Sequence, residues 1–350
     1  MTPHKTIAVN ASVKYDIVLG NGIAKEIAPL LKNVLGSCRL AILTDDKVDG
    51  LYGKKIETLL NEGGYDTVKF VIANGEESKN STNLMEFINF MAEHKLTRKD
   101  AVIALGGGVV GDMAGFAAAV YLRGIKFVQI PTTLLAAVDS SVGGKTAIDI
   151  AAGKNLMGAF HQPSLVCCDT DMLKSLDTNV MRDGYAEVIK YGVIADRELF
   201  DKLKSQTEDI NAIVARCVEI KRDIVEADEF DTGQRQLLNF GHTIGHAIEL
   251  LSDFTITHGS AVAKGMLIAA RIGAVLGMED CSAAIKEVLE RYGFDLSCPY
   301  SAEEIYEVAL SDKKRSGGQI TLVIPERIGK CILHKTACEN LLKLLKEIEL

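Results

Sequence analysis

Short apolar runs bounded by Gly, Pro or Asp recur through the first half of the chain, at residues 14–19, 40–44, 68–72, 101–105 and 127–130. Runs of this kind are predicted as strands. Between several of them, residues 51–61 and 81–94 carry helical patterning. Strand and helix in alternation predict a mainly parallel sheet covered on both faces. In such sheets ligands bind beyond the carboxyl ends of the strands.

Beyond about residue 178 the period changes. Long helical windows dominate, at 182–195, 197–206, 208–226, 237–251, 261–276 and 282–292, and a short β-like pair follows at 319–324 and 330–333. The expected organisation is an α/β domain over 1–177 and a mostly α-helical domain over 178–350. No Gly/Ser linker separates them, which predicts a packed interface with a cleft. The most apolar long window, 261–278, is broken by Lys264 and Arg271 and reads as a buried helix, not a membrane span.

Charge and cysteine usage narrow the function classes. A net charge of −8 argues against a nucleic-acid partner, whose phosphates need clustered Lys and Arg. Any anionic ligand must then meet a local basic pocket. Eight scattered cysteines with no CxxC pair read as reduced thiols of a cytoplasmic protein. The opening MTPHKTIAVN has no basic region followed by an apolar stretch, so no signal peptide is expected there.

Two glycine-rich loops carry candidate chemistry. Directly after the strand at 101–105, Gly106, Gly108 and Gly111 satisfy GxGxxG ahead of a helical run. Glycines let a backbone approach a pyrophosphate, and a helix N-terminus supplies N–H donors and positive dipole. The acidic residue expected at the end of the next strand is absent, since that strand ends QIPT; Asp45, ending an upstream strand, could hold the ribose instead. A tight strand–helix turn without a ligand is the alternative. The second loop, DSSVGGKT at 139–146, resembles a P-loop but has Asp139 where the first Gly belongs, and it follows a helical stretch. A nucleoside-triphosphatase is therefore disfavoured, and Lys145 remains as a cation suited to phosphate or carboxylate.

Metal chemistry is signalled by histidine spacing. Only 7 of 350 residues are His, yet His242 and His246 stand at i and i+4, with His258 shortly after. Two or three histidines plus a carboxylate, with one position open, make a catalytic zinc site. HExxH is absent, so the carboxylate comes from elsewhere; Glu187, in an otherwise apolar helix, is a candidate. Spacing alone favours His242 and His246 as the chelating pair, and hydrogen-bonded structural histidines are the alternative. Arg123, Lys145, Lys154, Lys190, Lys221 and Arg235 recur near these signals. A helical lysine is more often a solvated surface group.

Read in order, LGGGVVGDMAGFAA, YLRGIKFVQIPTTLLAAVDSSVGGKTAID, GKNLMGAFHQP, GYAEVIKYG, LLNFGHTIGHAIE and HGSAVAKGM resemble the 3-dehydroquinate synthases. The resemblance runs from about Leu40 to Asp312. It implies an N-terminal Rossmann-like NAD domain, a C-terminal helical metal domain and a homodimer, with no nucleic-acid or membrane partner. By motif, the metal ligands would be Glu187, His242 and His258, with zinc as the ion and cobalt as the alternative. His246 then becomes a substrate-side residue. NAD+ would meet Asp45, Glu76, Lys79, Gly107, Gly108, Val109, Val110, Gly111, Asp112, Thr132, Thr133, Asp139, Lys145 and Lys154. The sugar-phosphate substrate would meet Arg123, Asp139, Lys145, Asn155, Lys190, Lys221, Arg235, Asn239, His246 and Lys314 or its neighbour Lys313. Of these, Lys145, Lys190, His246, Arg123 and Asn155 would be catalytic. Ser260 and Tyr185 depart from the Glu and Met common in the family.

The implied reaction converts 3-deoxy-D-arabino-heptulosonate 7-phosphate to 3-dehydroquinate and phosphate. It proceeds by transient oxidation with NAD+, β-elimination of phosphate, re-reduction and intramolecular aldol closure, with His246 and Lys190 relaying or stabilising protons. Another sugar-phosphate cyclase, a metal-dependent polyol dehydrogenase and a non-catalytic binding protein are the rival readings.

Overall fold

The computed structural model describes residues 4–207, 209–311, 318–348 and 350. They form two compact units, each discontinuous in sequence: 1–177 with 210–230, and 178–209 with 231–350.

The first unit is built on a seven-stranded sheet. Its strands are β1 (Lys5–Asn10), β2 (Lys14–Gly20), β3 (Arg39–Asp45), β4 (Asp66–Ile72), β5 (Ala101–Gly106), β6 (Lys126–Pro131) and β9 (Leu165–Asp169). The spatial order is β1-β2-β9-β6-β5-β3-β4, parallel throughout except for β1, which pairs antiparallel with β2 at one edge. A separate hairpin, β7 (Lys145–Ile150) and β8 (Gly153–Phe160), leads away from the second glycine loop. Lys145 therefore opens a strand, where a P-loop lysine would stand at the start of a helix.

The central strands β3 and β5 are buried along almost their whole length, as a sheet covered on both faces requires. Around them lie α1 (Ile27–Leu35), α2 (Asp46–Val48) running through a π-turn into α3 (Lys54–Glu62), α4 (Ser81–Glu93) and α5 (Gly108–Val120). Ile42, Ile56 and Ile103 belong to one core cluster, and Phe87, Met113 and Phe127 to another. The chain moves outward from β3 to β4, then returns to β5 on the other side of β3. That reversal puts the carboxyl ends of β3 and β5 side by side, the switch point at which such sheets bind ligands.

The second unit contains α6 (Thr178–Ala195) and α7 (Arg197–Ser205). After α8 (Ile210–Ala227), which clusters with the first unit although the helical pattern groups it with 178–350, it continues with α9 (His242–Leu251), α10 (His258–Val275), α11 (Ser282–Arg291) and α12 (Ala302–Ser311). The hairpin β10 (Gln319–Arg327) and β11 (Lys330–Ala337) and the helix α13 (Cys338–Lys346) complete it. A Cβ on Gly265 of α10 would fall 2.0 Å from the Gly241 carbonyl oxygen, so α9 and α10 approach as closely as two backbones allow. Among the described residues no helix is long and apolar enough to cross a membrane. All eight cysteines are free.

One buried carboxylate organises the entry to β5. Asp100 accepts from Arg39 N at 2.8 Å, Thr97 N at 2.6 Å and the Thr97 hydroxyl at 2.8 Å. Burial alone would raise its pKa, but these donors and the Arg39 charge hold it below the usual carboxylate range. Because the folded value is depressed, its ionic contribution is complete above the unfolded pKa and disappears as pH falls through the folded one. Asp100→Ala is expected to cost about 1–3 kcal/mol at neutral pH, from donors left without their acceptor. Urea titrations should show the gap from wild type shrinking below about pH 3.8; a gap independent of pH would contradict the ionic part.

Candidate active site

At the carboxyl edge of the sheet the glycine loop opens α5. Thr132 N donates to Gly106 O at 3.0 Å, tying the end of β6 to the loop, and the Thr133 hydroxyl accepts from Ala136 N at 3.2 Å. A Cβ on Gly111 would stand 2.6 Å from Gln129 Oε1, so this glycine serves helix–strand packing. Gly107, Gly108 and Val109 are partly exposed at the helix N-terminus, whereas Val110 is buried. Asp45 ends β3, next to β5, and its Oδ1 accepts from Val48 N at 2.9 Å, capping α2. The acid missing after β6 thus has a counterpart on the other neighbour of β5.

Beside the loop lies a charged network. Lys79 is 4% exposed and donates to Asp112 Oδ2 and Asn155 Oδ1, each at 2.6 Å. Burial would lower its pKa, but Asp112 and Glu76 outweigh that and raise it, so it is a cation at every physiological pH. Asn155 adopts φ 56° and donates its N–H to Asp149 Oδ1 at 2.7 Å; Asp149 N in turn donates to Lys79 O at 2.8 Å. Glu76 is exposed, two residues before buried Ser78, and Lys154 is partly buried near the start of β8. Lys221 of α8 donates to the Asp139 carbonyl at 2.5 Å and pairs with the Asp139 carboxylate. Lys145 is exposed at the start of β7.

Arg123 is not brought to this group. It sits exposed, at φ 69°, beyond the C-terminal end of α5. The helix places it roughly 20 Å along its axis from the glycine loop at 1.5 Å per residue.

In the second unit α6 presents Glu187 and Lys190 one turn apart, 2% and 1% exposed, as an ion pair in an apolar stretch. Glu187 Oε1 lies 3.5 Å from His242 Nε2 and 3.6 Å from His258 Nε2. These separations suit a shared ion, because two ligand atoms each about 2.0–2.1 Å from a tetrahedral zinc stand roughly 3.3 Å apart. The outward nitrogens are also engaged: His242 Nδ1 lies 3.0 Å from Phe240 O and His258 Nδ1 lies 3.3 Å from Glu249 Oε2. Burial would raise the Glu187 carboxyl, but Lys190, then His242 and His258, hold it well below the usual range. Burial would lower His258, yet Glu187 and Glu249 raise it to about 10. A buried, ionised carboxylate facing two imidazoles could hold a divalent metal.

The spacing-based pair, His242 with His246, is not the pair that meets Glu187. His246 is exposed, its ring 5.4 Å from that of His242 and 5.9 Å from that of His258. Together with Asn239 and His242 it lines a cavity of about 460 Å³. Arg235 is fully buried in the turn ahead of α9. Lys313 and Lys314 lie outside the described residues. Tyr185 packs its ring 4.5 Å from Tyr292, and the Ser260 hydroxyl lies 2.9 Å from that of Thr257. Sequence reasoning missed Glu249; its place three residues after His246 on one helix face was the available signal.

An α/β unit with a glycine loop at its switch point, followed by a mostly helical unit, is the fold this chain shares with solved sugar-phosphate cyclases. A 2-epi-5-epi-valiolone synthase from Streptomyces hygroscopicus, solved with NAD+ and Zn2+, superposes with a TM-score of 0.86 at 26% identity, covering 97% of this chain and 99% of that one. A 2-deoxy-scyllo-inosose synthase gives 0.88 at 23% identity, covering 98% and 99%, and shows the shared fold. The chain belongs to the 3-dehydroquinate synthase family: the family's N-terminal model matches residues 69–183 and its C-terminal model residues 184–315. The 3-dehydroquinate synthase of Clostridium acetobutylicum is 42% identical over 344 residues, 95% of this chain and 97% of that one. That of Clostridium beijerinckii is 44% identical over 336 residues, 93% and 96% respectively.

If Glu187, His242 and His258 hold a divalent metal, protein loaded with zinc is expected to lose it in His242→Ala and to retain it in His246→Ala. Elemental analysis of the purified variants reads this directly, and loss of zinc from both would contradict the assignment.

Proposed function

We propose that this chain converts 3-deoxy-D-arabino-heptulosonate 7-phosphate to 3-dehydroquinate and inorganic phosphate, as an NAD- and metal-dependent phosphorus–oxygen lyase. The observation that carries the reading is the buried Glu187 carboxylate facing His242 and His258, in a chain whose family models match both halves. When bound, NAD+ supplies a reversible hydride acceptor and the divalent metal, zinc or cobalt, a Lewis acid for the reacting hydroxyl.

The residues divide the work by charge and exposure. Glu187, His242 and His258 would hold the metal. The loop from Gly107 to Asp112 would offer the pyrophosphate the N-terminus of α5, and Thr132 and Thr133 would add donors. Asp45, whose Oδ1 accepts from Val48 N, would offer its other carboxylate oxygen to the ribose. Glu76, Lys79 and Lys154 would contact the cofactor, with Lys79 fixed by Asp112 and Asn155. Lys145, Lys190, Lys221, Arg235 and Lys314 neutralise the substrate's phosphate and carboxylate in a chain whose net charge is −8. Asn155, Asn239 and Asp139 orient hydroxyls; Arg123, exposed beyond the far end of α5, is given no part in this site. His246, exposed to the cavity beside His242, moves a proton to or from the substrate. The reading includes a homodimer working in the cytoplasm.

Phosphate release from the heptulosonate phosphate, followed with a catalytic amount of NAD+, is the test. Release that a chelator stops, without net NADH and with dehydroquinate as product, is expected. Net NADH on a polyol, or no release by the loaded protein, would overturn the reading. Lys79→Met is expected to weaken NAD+ binding at least tenfold while zinc stays stoichiometric; unchanged NAD+ affinity by calorimetry would remove Lys79 from the cofactor site.

A further inference from the structure

His258 is the least supported member of its set by backbone alone. Glu187 lies mid-helix in α6, and His242 opens α9 behind Gly241, whereas His258 is the first residue of α10. The residue before it, Thr257, occupies the N-cap position without capping; its hydroxyl instead donates to Asp183 Oδ1 at 2.7 Å. A Cβ on the following Gly259 would meet Asp183 Cα at 2.4 Å, so the start of α10 rests on α6 at this point. These contacts place the His258 backbone, and they leave the rotation and tautomer of its ring to be set by something else.

Glu249 is placed to set them. It is 6% exposed on α9, seven residues after His242, and its Oε2 lies 3.3 Å from His258 Nδ1 while Nε2 faces Glu187. We propose that Glu249 is a positioning residue that accepts a hydrogen bond from His258 Nδ1 and so aims Nε2 at the metal. One helix thus supplies both a ligand, His242, and the anchor of the opposing ligand. The geometry also separates two overlapping donor sets. Glu187, His242 and His258 form one, and His246, Glu249 and His258 form the other. Nδ1 engaged by Glu249 leaves Nε2 for the Glu187 set, and outer carboxylates of this kind fix ring orientation and raise ligand basicity.

The inference rests on the reading of Glu187, His242 and His258 as a metal site, and the test separates the two. Zinc affinity is measured on the full chain by competition with a chromophoric chelator, for wild type, Glu249→Ala, Glu249→Gln and His242→Ala. The cobalt-loaded forms are compared by visible absorption. Glu249→Ala is expected to weaken zinc about 10–100-fold and to shift the cobalt bands. Glu249→Gln, whose amide oxygen still accepts from Nδ1, should recover most of the affinity and the wild-type bands. Should Glu249→Ala fail to fold, the Gln variant alone decides, since a loss as large as that of His242→Ala would make Glu249 a ligand and overturn the positioning role. Wild-type affinity and spectrum in Glu249→Ala would overturn it as well. A wild type whose metal binding is unchanged by His242→Ala would instead sink the metal reading beneath it.

Discussion

A carboxylate taken out of water governs the second unit. An ion of that size costs several kcal/mol to bury, and the cost is recovered only if opposite charge and good donors surround it. Glu187 meets that condition with Lys190 one turn away on α6 and imidazoles from the starts of α9 and α10. Apolar residues of the same volume would stabilise a helical core at least as well. The buried charge therefore argues for chemistry, and the helices that enclose it are spaced to let the two imidazoles converge. The closeness of α9 and α10 at Gly241 and Gly265 serves the same end.

The first unit applies the same rule to a cation. Lys79 is almost fully buried, and Asp112 with the Asn155 amide oxygen keeps it charged and fixed. Asn155 reaches it from a left-handed backbone position, which a non-glycine residue adopts only where its surroundings compensate. Lys221 likewise lies against Asp139. Both buried lysines are thus held by carboxylates of the same unit.

Much of this was legible from residue pattern. The buried strands β3, β5 and β6 announce themselves as apolar runs, and the glycine loop follows β5 in the expected context. The hairpin β7–β8 was not legible, because Leu156, Met157 and Phe160 are exposed and break the alternation a strand is recognised by. Strand β9 was passed over although all five of its residues are buried; so short a run carries little period. Helix α8 follows the helical pattern of the second half, yet it clusters with the first unit. Helical period says which face is apolar, not which core receives it. The histidines teach a similar lesson. The i, i+4 rule pairs His242 with His246 on one helix, whereas the imidazole that reaches Glu187 with His242 comes from α10, a tertiary fact that spacing within α9 cannot carry. Glu249 stands one turn after His246, a signal the sequence did offer, but its partner His258 lies on another helix.

The donor set is the centre of this account, and X-ray absorption at the zinc edge of the loaded protein tests it most directly. Two imidazole nitrogens and one carboxylate oxygen at about 2.0–2.2 Å are expected, with an exchangeable light atom completing four-coordination. A third imidazole, or sulfur scattering near 2.3 Å, would contradict it.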